Sequence, residues 1–139
     1  MYNFVQGGSA SDERGEIRFV NNFDMSLVKR FYIITNRSTE IIRGWRGHKI
    51  EDRWFFVIEG SFKVDLVYIN DWSNPSRDLN VISFTIHAND NKVLHIPKGY
   101  ATTFQQEVDN SKLLVFANFG IENSENDNYT WDSAYFVNR

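Results

Sequence analysis

Apolar positions along this chain come in short β-branched and aromatic runs, separated by polar or glycine-containing stretches, and few segments carry the 3.6-residue period of a helix. The pattern predicts strands over residues 2–5, 16–20, 29–35, 41–48, 53–59, 61–69, 81–87, 92–96, 101–107 and 112–119. Gly7-Gly8-Ser9 and residues 36–39, 70–78, 88–91 and 109–111 read as turns or loops. Residues 22–27 read as a helical turn. Only Pro75 and Pro97 act as hard stops. So many short strands in 139 residues predict an all-β sandwich or barrel in place of a parallel sheet. Residues 118–128 are polar and acidic, and the aromatic cluster Tyr129, Trp131, Tyr135 and Phe136 follows them. Aromatic rings gain little on a solvated tail, so this segment is expected to fold back onto the body or onto a second chain.

Composition bounds the picture without changing it. A 42% hydrophobic and 16% aromatic content supplies a packed core, and the length fits one domain over residues 1–139. Fifteen basic against eighteen acidic side chains leave a formal net charge of −3, which argues against a nucleic-acid partner. Cysteine is absent, which excludes disulfides, zinc ribbons and thiol nucleophiles. No apolar run reaches the roughly 18 residues of a membrane span. Residues 1–10 lack a signal peptide's layout, so a cytoplasmic protein with no membrane partner is expected.

The densest chemistry lies in Arg43-Gly44-Trp45-Arg46-Gly47-His48-Lys49, followed by Arg53 and a turn at Glu59-Gly60. On an extended strand Arg46 and His48 share one face, while Trp45 and Gly47 take the other. Cations and an imidazole on an inner wall are costly to desolvate without an anionic ligand. The competing reading is a surface strand whose basic groups face water. Histidine suits a general base because much of it is neutral at working pH, and a neighbouring arginine favours that form further. A second segment, Ile96-Pro97-Lys98-Gly99-Tyr100-Ala101-Thr102, contains a Pro-x-Gly turn between two strands. His87 and His95 are isolated and read as strand or surface histidines.

Together, the glycine-rich motif and the Pro-x-Gly turn resemble the cupin double-stranded β-helix, an RmlC-like jelly-roll barrel. Laid on the metal-binding cupin pattern, the two histidine positions hold Arg46 and His48, the glutamate position holds Arg53, and the second-half histidine position holds Thr102. One ligand of four remains and two are cations, so no metal and no other cofactor is implied. The resemblance narrows to metal-independent sugar-nucleotide cupins, the dTDP-4-dehydrorhamnose 3,5-epimerases and the WxcM-like dTDP-sugar 3,4-ketoisomerases. Asp12-Glu13-Arg14-Gly15 looks like their early Asp-x-Arg-Gly motif. Val28-Lys29-Arg30-Phe31-Tyr32-Ile33 is similar to the ketoisomerases' next strand, and residues 43–49 to their Arg-Gly-aromatic-His-x-His-Lys. Ile96–Ala101 is closer to the epimerases' Ile-Pro-x-Gly-Phe-Ala. The departures are specific. The epimerase base position holds Arg46, its acid tyrosine falls near Val115, and its substrate-steadying lysine aligns with Arg53. The second ketoisomerase histidine is retained as His48.

The resemblance implies an isomerase acting on a nucleotide-linked 4-keto-6-deoxy sugar in cell-surface polysaccharide biosynthesis, with a dTDP-linked substrate expected. His48 would abstract a proton beside the keto group, and Arg46 and Arg53 would hold the resulting oxyanion. Tyr32 or Tyr100 would serve as the acid. Arg14 and Arg43 would bind the diphosphate, and Arg30 and Thr102 complete the expected substrate contacts. A homodimer that exchanges the N-terminal strand 2–5 is also implied. Two alternatives stand beside this reading. One is a non-catalytic nucleotide-sugar-binding cupin. The other is a structural cupin whose arginines are spent on internal carboxylates.

Overall fold

The computed structural model describes residues 1–138, apart from the side chains of Asn123 and Ser124. Twelve strands follow in order: β1 (Asn3–Gln6), β2 (Gly8–Asp12), β3 (Gly15–Phe19), β4 (Arg30–Ile34), β5 (Arg43–Gly47), β6 (Arg53–Glu59), β7 (Ser61–Tyr68), β8 (Ile82–His87), β9 (Lys92–Ile96), β10 (Tyr100–Gln106), β11 (Lys112–Ala117) and β12 (Tyr129–Thr130). Two five-stranded sheets face each other, one in the order β1-β9-β6-β11-β4 and the other β12-β5-β10-β7-β8. All pairs are antiparallel, and β2–β3 forms a separate hairpin.

Period-two alternation decides which side chains enter the space between the sheets. Phe55, Val57, Leu94, Leu113 and Val115 come from the first sheet and meet Phe62, Val64, Leu66, Ile86 and Phe104 from the second. The Phe55 and Phe104 rings lie 4.8 Å apart. A second apolar cluster, comprising Trp45, Val67, Ile69, Ala101 and Phe136, lies on the outer face of the second sheet. Trp72, Leu79 and Val81 from the loop after β7, and Trp131 and Tyr135 from the tail, cover it. The tail therefore does fold back, and reciprocal backbone hydrogen bonds between Trp45 and Trp131 (3.1 and 3.0 Å) fasten it to β5.

Several expectations need correction. Gly7-Gly8-Ser9 is not a turn: Gly8 and Ser9 lie in β2, paired with β3. The turn sits at Glu13-Arg14, where the Asp12 carboxylate accepts from the Arg14 backbone N–H (2.9 Å). Gly15, at φ +134°, closes it in a region that side-chain-bearing residues avoid. Residues 22–27 form no helix. The Asp24 side chain accepts from Ser26 N–H (2.9 Å) and isolated turns result, because local side-chain capping competes with helix formation. Within 118–128 the segment Ile121–Asp127 is a 3-10 helix. β1, the strand expected to exchange in a homodimer, lies at the edge of the first sheet and pairs with β9 of this chain.

Candidate active site

A cavity of about 510 Å³ opens between the two sheets at the β4–β5 end. Its floor follows from strand register. Arg46 on β5 is directly opposite Thr102 on β10 and Thr130 on β12, so all three side chains share the inward face. Gly44, at φ +117°, runs against the β10 backbone so closely that a Cβ there would collide with the Thr102 carbonyl oxygen. From the opposite sheet, Arg53 reaches across and its Nη2 donates to Thr102 Oγ1 (2.9 Å). Arg43 is steadied by Nε donation to Asn36 Oδ1 (3.1 Å) and Nη2 donation to the Thr35 carbonyl (3.4 Å). Tyr32 supplies a phenol to the wall, with the Arg30 guanidinium 5.1 Å from its ring centre.

Among the described residues, three arginines thus line the cavity and no carboxylate does. Arg46 makes no side-chain hydrogen bond or ion pair among the described residues. Three guanidinium groups converging on one hollow, with Arg46 free of side-chain partners among the described residues, fit an anionic ligand, because planar N–H forks match phosphate and carboxylate oxygens.

His48 sits just beyond β5, beside the cavity and outside its lining. Its side chain is 12% exposed. Nδ1 lies 2.8 Å from the Asp127 carbonyl oxygen, which can only accept, so Nδ1 carries the hydrogen. Nε2 is then the bare nitrogen, and it is buried without a partner. Burial, reinforced by Arg53, Arg46 and Arg30 and opposed by the Asp127 carbonyl, pushes the His48 pKa down to about 3. The ring is therefore a neutral acceptor at any working pH.

Two carboxylates hold this corner together. Asp127, at the end of the 3-10 segment, accepts from the backbone N–H groups of Lys49 (2.7 Å), Ile50 (3.0 Å) and Glu51 (2.8 Å). Glu51 is buried, and its Oε1 accepts from Arg30 Nη2 (3.4 Å). Its Oε2 lies 3.5 Å from His48 Nδ1 and 3.9 Å from Arg53 Nε, with no hydrogen-bond donor.

Tyr32, Arg43, Arg46, Arg53 and Thr102 meet in the cavity, and His48 and Arg30 adjoin it through Glu51. Tyr100 does not join them: it is buried against Tyr68 and Tyr2, with ring centres 5.2 and 6.3 Å away, and burial raises its pKa. Arg14 lies at the exposed hairpin tip, paired with Asp12 at 2.6 Å. Asn36, Glu51, Asp127 and Thr130 escaped sequence reasoning. Asp127 is 79 residues from His48, and only the fold makes them neighbours. The pairing of arginines with internal carboxylates is uneven: Arg14 and Arg53 have acidic neighbours, whereas Arg43 and Arg46 have none among the described residues.

The two facing antiparallel sheets, with a cavity between them at one end, define an RmlC-like cupin. The chain belongs to the WxcM-like, C-terminal (FdtA) family, whose model matches residues 2–139. No curated protein matches it in sequence. Among solved structures, a mutant of the 3,4-ketoisomerase QdtA from Thermoanaerobacterium thermosaccharolyticum, in complex with TDP-4-keto-6-deoxyglucose, is 17% identical with a TM-score of 0.67. The match covers 99% of this chain and 87% of that one. The WlaRB TDP-quinovose 3,4-ketoisomerase from Campylobacter jejuni is 20% identical, with a TM-score of 0.64 and coverage of 99% and 92%. The RmlC epimerase of Mycobacterium tuberculosis is 15% identical, with a TM-score of 0.76 and coverage of 96% and 70%. At these identities the likeness establishes the fold.

Proposed function

We propose that this protein is an isomerase for a nucleotide-linked 4-keto-6-deoxy sugar, of the 3,4-ketoisomerase type, working in the cytoplasm in cell-surface polysaccharide biosynthesis. The observation that carries the reading is the cavity with three arginines, no lining carboxylate and an unpaired Arg46. Family membership and the sugar-nucleotide enzymes among its structural neighbours supply the substrate class. The diphosphate of a dTDP-sugar takes a cationic contact, for which Arg43 at the cavity rim is suited. Arg14 of the hairpin lies elsewhere in the single chain. The donor set facing the cavity, guanidinium and hydroxyl groups, is one a divalent cation avoids, so the reading invokes no metal.

In this scheme His48 Nε2 takes the C3 proton and the C3–H electrons pass into the C3–C4 bond, placing negative charge on O4. Arg46 and Arg53 hold that charge. Tyr32, which lines the cavity where Tyr100 does not, donates a proton to C4 while the O3 proton passes to O4 and the carbonyl forms at C3; the proton held by His48 then restores the Tyr32 phenol. Return of a proton to the opposite face of the starting carbon would give an epimer instead. A ring movement must bring Nε2 to the ligand, since His48 is outside the lining. That same placement favours the second reading, a non-catalytic nucleotide-sugar-binding cupin.

We also propose a homodimer through the outer face of the first sheet. Phe31 (64% exposed) and Ile33 (53%) project from its edge strand β4, an apolar surface unusual for a monomer.

Incubation with dTDP-4-keto-6-deoxyglucose, followed by proton NMR, tests the assignment. A new 3-keto sugar is expected. A product epimeric at C3 and C5 would move the assignment to the epimerases, and tight binding without conversion would establish the binding module.

A further inference from the structure

The cluster beside the cavity contains one group for which the scheme above has no use. Glu51 is 2% exposed, and burying a carboxylate costs several kcal/mol unless its surroundings compensate. It could have formed a forked pair with a single arginine. Instead it is divided among three groups on three parts of the fold: Arg30 on β4, Arg53 on β6, and His48 after β5. Oε2 faces His48 and Arg53 with no donor, and the turn that carries Glu51 is fixed by the Asp127 carboxylate.

We infer that Glu51 is a positioning residue for the proposed reaction, with its buried carboxylate aiming Arg53 at the ligand oxygen and supplying the counter-charge for His48 as that ring takes a proton. The inference rests on the isomerase reading. When His48 becomes imidazolium, the cations Arg53, Arg46 and Arg30 oppose the new charge. Among the described ionisable groups packed around it, only Glu51 and Asp127 favour it, and the Asp127 carboxylate is already occupied by three backbone N–H groups. Glu51 also faces Arg53 electrostatically: Arg53 Nε lies 3.9 Å from Oε2 while its Nη2 donates to Thr102 Oγ1 on the cavity floor (2.9 Å).

Protonation of Glu51 would remove both effects. Its pKa is raised by burial and by Asp127, against the pull of Arg53 and Arg30. An acid limb in the reaction rate, set by Glu51 and lying above the ordinary carboxylate range, follows. A purely structural glutamate would produce no such limb.

The experiment measures, in deuterated water between pH 5 and 8, the rate at which dTDP-4-keto-6-deoxyglucose loses its C3 proton and the 3-keto product takes up deuterium at C4, with dTDP affinity alongside, for the wild-type protein and Glu51→Gln. Glu51→Gln should slow uptake at least tenfold at pH 7.5, remove the acid limb and leave dTDP affinity within threefold. A folded Glu51→Gln protein with the wild-type rate and acid limb overturns the inference, as does an equal loss of rate and affinity. Should the variant not fold, the wild-type protein decides the matter through carbon-13 carboxyl NMR. The Glu51 resonance and the acid limb must share one midpoint, and separate midpoints overturn the inference. A wild-type protein that takes up no deuterium overturns the isomerase reading along with this one; uptake indifferent to Glu51 overturns this one alone.

Discussion

Arg46 and His48 are two residues apart in sequence and differ in every physical respect that matters for function. Arg46 is exposed in the cavity, has no protein partner among the described residues, and contributes nothing visible to stability. Arg46→Ala should therefore weaken binding of dTDP-4-keto-6-deoxyglucose by about 1.5–3 kcal/mol, the usual worth of a charge-assisted hydrogen bond, and leave dTDP binding and the melting temperature unchanged. Calorimetric titration and thermal unfolding of the same samples check both parts. His48 is held neutral, and this has a cost in acid. Between the ordinary histidine value of 6.5 and its own value of about 3, the unfolded chain binds a proton that the folded chain refuses. Stability attributable to His48 is thus lost as pH falls through that window, by up to about 1.4 kcal/mol per pH unit. Glu51 acts in the opposite sense, withdrawing stability as pH rises from 4.5 through its raised value. Urea unfolding of His48→Gln against wild type from pH 7 down to 4 should show the variant gaining relative stability as the pH falls. Parallel curves would show that His48 takes up its proton in the folded state.

At the scale of elements, the floor of the site is a product of register. β5 presents Arg46 inward and Trp45 outward, so one strand serves the cavity on one face and the tail's aromatic cluster on the other. β12 adds Thr130 to the floor only while the tail stays docked. Phe136, 1% exposed, anchors that tail against Trp45 at 5.0 Å between ring centres. Phe136→Ala should cost about 3–5 kcal/mol and loosen the cavity wall with it. Denaturant melts and the wild-type-to-variant ratio of dTDP affinity measure the two effects. Ten strands were legible in the sequence because β-branched and aromatic runs alternate with turn residues; the inward position of Arg46 followed from the same alternation, whereas His48 lies past the end of β5 and outside the cavity lining. β2 was hidden because its Gly-Ser-Ala composition has no strand signature, and pairing with β3 alone makes it a strand. Glu51 and Asp127 were hidden because their roles arise from contacts across the fold, between a connection and a 3-10 segment 76 residues further on.

At the scale of the whole molecule, the cavity and the outer face of the first sheet differ in character. The cavity is cationic, while the outer face of the first sheet keeps Phe31 and Ile33 in contact with solvent. Ile33→Asp should convert a dimer to a monomer by light scattering with the fold intact by circular dichroism. A wild-type protein that is already monomeric would contradict the proposed dimer. The central claim is that a cavity of arginines with a neutral histidine beside it removes a proton next to a keto group. Incubation of the wild-type protein with dTDP-4-keto-6-deoxyglucose in deuterated water, read by proton NMR, tests this most directly. The account predicts loss of the C3 proton signal together with the appearance of a 3-keto sugar. Retention of every sugar proton while the nucleotide is bound would contradict it.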